Sequence, residues 1–356
     1  MLRREILWLM GWLVILTWVV PACGPVEPVA APAGDETVSG PTSVEEHEAG
    51  PEAGVVDLEP VSLGPGEKLR VVATTNIIAH VVSQVGGEAI QLIELLPTGA
   101  DPHTYIPTPK DVAAVAGAHV VFANGADLEA EFLPRLTQDT DTPVVFVSNG
   151  VEFRELGQAQ EHEEEDHSHR GLDPHTWTTP ANVIVFVRNI EHALSALDPA
   201  HAGTYQANAQ AYAATLEALD EWVEAQIETI PAENRELVTD HAAFGYYADR
   251  YGLEQIGAVI PAFSTAAEPS AQELAALEDA IREYGVKAVF VGTTVNPALS
   301  EQVARDTGVQ LVTLYTGSLG PEGSGVETYI AYICHNTLAI VQALGGTAEV
   351  AGSPCE

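Results

Sequence analysis

From Leu69 onward the chain alternates short aliphatic runs with stretches in which apolar residues return every three or four positions. Leu69 to Ala73, Ile90 to Leu95, His119 to Ala123 and Val144 to Val147 read as strands. A second series follows at Leu237 to Thr239, Gln255 to Val259, Ala288 to Val291 and Leu311 to Leu314. Helical patterns such as Ala271 to Tyr284 and Pro297 to Thr307 separate them, which predicts parallel sheets with helical crossovers in two groups. Between the groups, Thr204 to Ile230 carries no Gly or Pro, and Tyr205, Ala209, Tyr212, Leu216, Leu219, Trp222, Val223, Ile227 and Ile230 recur at helical spacing. A helix of that length runs about 40 Å. The expected fold is therefore α/β: two lobes, each with a mainly parallel sheet flanked by helices, joined by one long rigid α-helix.

The pattern changes at the ends. Arg3 and Arg4 precede an uncharged, strongly apolar run from Ile6 to Val20, which is too short to span a bilayer comfortably and ends in small residues at Cys23. Residues 1–22 read as a secretory signal peptide. Val20-Pro21-Ala22-Cys23 resembles a lipobox, which implies lipidation of Cys23 and an extracytoplasmic protein held at the membrane through its lipid. Gly24 to Gly66 holds seven Pro, seven Gly, nine Asp or Glu and no Lys or Arg, so residues 23–66 read as an acidic tether without a core of its own. The remaining layout is an N-terminal lobe at 67–198, a linking helix at 199–230, a C-terminal lobe at 231–346 and a tail at 347–356.

A net charge of −37 with only 14 Lys and Arg excludes a nucleic-acid partner, since phosphate binding needs clustered basic residues. With Cys23 assigned to lipid, Cys334 and Cys355 remain, and an oxidising compartment permits them to pair. Their spacing alone does not decide it.

Among twelve histidines, three stand where the chain leaves a strand or enters a helix. His103 lies in LLPTGADPHTYIPTP, His175 in GLDPHTWTTP and His241 in LVTDHAAFGYYADRYG. In open α/β sheets, ligand sites gather at the carboxyl ends of strands. Pro102 and Pro174 fix φ before each of the first two histidines. Asp101 and Asp173 are placed to accept a hydrogen bond from an imidazole or a nearby amide, the role that orients metal-bound histidines. His47, His80, His119, His192, His201 and His335 read as structural or solvated. The loop at 159–171 groups His162, His167 and His169 among Glu161, Glu163, Glu164, Glu165 and Asp166, and can bind divalent cations weakly.

The stretches GADPHTYIPTPKDV, DPHTW, HAAFGYYADRYGL, EPSAQEL and TYIAYICHNTLAIVQAL together resemble the substrate-binding lipoproteins of bacterial zinc and manganese ABC transporters, from Leu69 to Leu344. The resemblance implies a metal in the cleft between two α/β lobes, with His103 and His175 as ligands from the first lobe and His241 from the second. It also implies delivery to an ABC permease, and the expected state is a monomer. Many members carry an Asp late in the second lobe, in a string like LYTDSLG, whereas VTLYTGSLGPEG places Gly317 there. Asp240, Asp101 and Glu268 are weak substitutes as a fourth ligand. Three imidazoles and an open position favour Zn²⁺ over Mn²⁺, which prefers more oxygen donors. Besides manganese binding, the alternatives are an extracytoplasmic zinc hydrolase, for which no HExxH-type base is found, and a surface zinc store or adhesion protein.

Overall fold

The computed structural model describes residues 58–155 and 171–356. The signal peptide, Cys23, most of the tether, and His162, His167 and His169 lie outside the described residues.

Two four-stranded sheets form where the aliphatic runs fall. The first contains β1 (Leu69–Ala73), β2 (Ile90–Glu94), β3 (Val120–Ala123) and β4 (Val144–Phe146), in the order β2-β1-β3-β4. The second contains β5 (Glu236–His241), β6 (Glu254–Ile260), β7 (Ala288–Gly292) and β8 (Gln310–Leu314), in the order β6-β5-β7-β8. Every pairing is parallel. The inner strands β3 and β7 are buried along their whole length, as helices on both faces require, so they read as continuous apolar runs without alternation.

In the first lobe the helices are α1 (Asn76–Gly86), α2 (Pro109–Ala116), α3 (Leu133–Thr137) and α4 (Pro180–Leu197). A 27-residue helix, α5 (Ala202–Glu228), follows, and α6 (Gly245–Tyr251), α7 (Ala271–Tyr284), α8 (Ala298–Thr307) and α9 (Tyr329–Ala343) complete the second lobe. Thr75 caps α1, and Ser270 with Glu273 forms a capping box on α7. The apolar stripe of α5, from Tyr205 to Ile227, is buried against α1 and α4 on one side and α6 and α9 on the other. One core cluster consequently runs from Val71 and Phe122 through Leu216 and Trp222 to Phe290 and Tyr332, with smaller clusters on the outer face of each sheet.

One boundary differs from the sequence expectation, and one open question about the tail is answered. The tether was expected to run to Gly66, yet Leu58, Val61 and Leu63 pack against the central core and the Val61 amide donates to the Leu197 carbonyl at 2.8 Å. Three aliphatic residues at short spacing suffice to hold a segment that composition alone would leave free. The tail is likewise fastened: Trp222 Nε1 donates to the Glu349 carbonyl, the Glu349 amide donates to Gln226 Oε1, and Cys334 and Cys355 are joined by a disulfide.

Candidate metal centre

The two Asp-Pro-His segments build the same local turn. The Asp101 carboxylate accepts from the His103 amide at 3.0 Å, and the Asp173 carboxylate accepts from the His175 amide at 3.0 Å. With φ fixed by the intervening proline, each aspartate holds its histidine two residues on in one orientation. The copies then diverge. Asp173 Oδ1 also accepts from His175 Nδ1 at 2.9 Å, while the other oxygen of Asp101 accepts from the Thr265 hydroxyl of the second lobe. Tyr105 closes the first copy by donating to Asp111, part of the cap of α2, whereas Trp177 Nε1 crosses to the Thr316 carbonyl at 3.0 Å.

His241 ends β5, next to β7, at the point where the strand order of the second sheet reverses. Asp240 accepts from the His241 amide at 2.7 Å and from its Nδ1 at 2.8 Å, and its other oxygen accepts from the Gly292 amide at 2.7 Å. Asp240 is thereby committed to orienting the histidine. Glu268 is exposed.

The three histidines meet. His175 Nε2 lies 3.1 Å from His103 Nε2 and 3.2 Å from His241 Nε2. His103, His175 and His241 form the one group able to hold a metal ion among the described residues. Because Nδ1 of His175 and of His241 each faces a carboxylate, the proton of each neutral ring sits there, and both Nε2 lone pairs point at the same spot. Lone pairs at such distances repel unless a cation lies between them. Tetrahedral Zn²⁺ with nitrogens at about 2.0–2.1 Å sets them roughly 3.3 Å apart. Burial, then the neighbouring His175 and His241, holds His103 well below the usual imidazole range. Burial also lowers His175, against the opposing pull of Asp173. Both are thus kept in the neutral, ligating form.

Sequence reasoning did not single out the residues that frame the centre. Asn124 Nδ2 donates to the Pro174 carbonyl and its Oδ1 accepts from the Thr176 hydroxyl, with Glu129 fully buried beneath it, bonded to the Asn124 and Gly125 amides and the Thr74 hydroxyl. Asn76 bridges the lobes, donating to the Ser318 hydroxyl and accepting from the Leu319 amide. Arg154 pairs with Asp173 and with Asp249. A polar residue in a buried aliphatic context is the sequence signal for Glu129; long-range pairs such as Asn76 with Ser318 leave none.

The family described as "Zinc-uptake complex component A periplasmic" matches residues 71–343. The chain belongs to this family. It is 37% identical over 281 residues to the manganese-binding lipoprotein MntA of Halalkalibacterium halodurans, covering 78% of this chain and 89% of that one. The iron-binding protein YfeA of Yersinia pestis is 32% identical, covering 78% and 87%. Among solved structures, the periplasmic zinc-binding protein TroA of Treponema pallidum superimposes with a TM-score of 0.69 at 29% identity, covering 79% of this chain and all of that one. A manganese-bound periplasmic protein of Candidatus Liberibacter asiaticus, at 23% identity and a TM-score of 0.70 over 78% of this chain and all of that one, shares the fold. Proteins of this family are metal-binding solute-binding components of ABC transporters and not enzymes, which removes the hydrolase alternative. Among the described residues no helix is long and apolar enough to cross a membrane.

Proposed function

We propose that this protein captures Zn²⁺ on the outer side of a bacterial membrane at His103, His175 and His241 and hands it to an ABC permease, as a monomer anchored through lipid on Cys23. The observation that carries the reading is the convergence of three Nε2 atoms, two of them with Nδ1 committed to a buried aspartate. Capture uses these lone pairs, and Trp177 and Phe263 lie beside His175 as aromatic neighbours.

The choice of zinc rests on the donor set. Three imidazoles without a carboxylate suit a tetrahedral ion whose last position is filled by water, whereas Mn²⁺ favours oxygen donors and higher coordination. Manganese is the second reading, and the name of the 37% identical relative supports it. The expected result of competition calorimetry is one site per chain with zinc bound at sub-micromolar affinity and displacing manganese. His103→Ala and His175→Ala should each abolish it. Tighter manganese than zinc binding reverses the choice of metal, and unchanged binding in both variants removes the site.

A further inference from the structure

Behind His175 lies a polar joint that both lobes share. Arg154 Nη1 donates to Asp173 Oδ2 at 3.0 Å, and its Nε donates to Asp249 on α6 at 2.6 Å. The Asp173 side chain is fully buried and that of Asp249 is exposed. The Arg154 amide donates to the Tyr246 hydroxyl at 3.1 Å, which in turn donates to the Asp173 carbonyl at 2.8 Å. A Cβ on Gly245, the first residue of α6, would run into Nη1 and Cζ of Arg154 and stand 2.9 Å from Asp173 Oδ2. The guanidinium therefore occupies the space that the missing side chain leaves, four residues beyond His241.

An exposed ion pair would contribute little. This one differs because Asp173 is buried: its Oδ1 serves the His175 amide and Nδ1, and Oδ2 receives Arg154. Removing the guanidinium leaves a buried carboxylate oxygen unpaired, and the carboxylate must turn to recover a partner. Its hold on Nδ1 loosens with that turn.

We infer that Arg154 is a positioning residue for metal capture: seated on the strand–helix unit that carries His241, it fixes the carboxylate that orients His175, so the aim of a first-lobe ligand is tied to the second lobe. The inference rests on the metal-site reading above. Loss of Arg154 disturbs which ring nitrogen of His175 carries the proton as well as its aim, and such outer partners of metal-bound histidines typically alter affinity by about 10–100-fold.

The test compares Arg154→Met, Arg154→Lys and Gly245→Ala in the full chain, reading zinc affinity by chelator competition, His175 tautomer by nitrogen-15 NMR, and thermal midpoint. Arg154→Met should weaken zinc binding about 10–100-fold and mix the two tautomers, with Arg154→Lys recovering part of both. Gly245→Ala should do the same by evicting the guanidinium without removing its charge and by pressing on Asp173 Oδ2. Affinity within threefold of the parent in Arg154→Met overturns the role. Should Arg154→Met fail to fold, Gly245→Ala and Arg154→Lys report on the same joint. His175→Ala run in parallel separates the two ideas: if it binds zinc normally the site itself is wrong, and if it alone loses zinc only the role of Arg154 is.

Discussion

A Cβ on Gly317 would stand 2.7 Å from Cδ of Pro102. Gly317 thus does more than lack a ligand: the proline that stiffens the His103 turn fills the space into which a side chain at 317 would begin. Proline carbons cannot swing aside as the end of a long side chain can, and overpacking of this kind costs about 1–3 kcal/mol. Gly317→Asp alone should push the 102–103 turn outward and weaken zinc binding at least about tenfold. Pro102→Ala with Gly317→Asp should relieve the contact and raise the manganese-to-zinc affinity ratio, read by competition titration. A tighter zinc site in Gly317→Asp alone would show that the turn yields without cost.

Asp240→Asn tests the orienting carboxylates. One oxygen of Asp240 faces Nδ1 of His241 and the other faces the Gly292 amide, so both positions require acceptors. An asparagine must turn its NH₂ toward one of two donors. Zinc affinity should drop about 10–100-fold with little change in the far-ultraviolet circular dichroism spectrum. Binding unchanged by the substitution would mean that His241 is aimed by packing alone.

The pH dependence of metal release follows from burial. His103 and His175 are both lowered from the ordinary imidazole value of about 6.5, so protons displace the metal only in more acid solution than a solvent-exposed histidine would allow. The midpoint of zinc loss at fixed zinc concentration should lie below pH 6.5, measured by metal-sensitive dye. A midpoint at or above that value contradicts the burial argument.

His80 gives a separate pH effect on stability. Its Nδ1 is buried without a partner near the equally unpartnered Tyr212 hydroxyl, and burial pushes its pKa down to about 4. The unfolded chain takes up a proton near pH 6.5 and the folded chain does not, so the stability is whole above 6.5 and falls as pH drops toward 4. The loss is on the order of 3 kcal/mol. His80→Gln should flatten the difference between thermal midpoints at pH 7 and pH 4.5, by calorimetry of the metal-free protein.

The disulfide joins residues 21 apart in sequence, and closing a loop of that size restrains the unfolded chain by about 3 kcal/mol. Cys334→Ser should lower the thermal midpoint by roughly 5 °C, and dithiothreitol should lower the parent to the same value. An unchanged midpoint under reduction would mean that the Trp222 and Gln226 contacts hold the tail unaided.

The strands were legible because buried parallel strands are short aliphatic runs, and α5 because its stripe keeps helical spacing through 27 residues. His103, His175 and His241 were legible because each follows an aspartate at a break in that pattern. What local sequence does not carry is pairing at a distance. Asp101 takes the amide of His103, one of the two partners its sequence position offers, but its bond from the Thr265 hydroxyl across the cleft has no local signal. Both Asp-Pro-His turns lie in the first lobe, and the likeness between the lobes is instead the shared strand order of their sheets.

The central core has one more consequence. Val71 of the first sheet and Phe290 of the second belong to a single buried cluster that passes through α5, so neither sheet can melt without stripping apolar surface from the layer that covers the other. Two lobes that look like separate modules are then one thermodynamic unit, and heating should unfold them together in a single calorimetric peak.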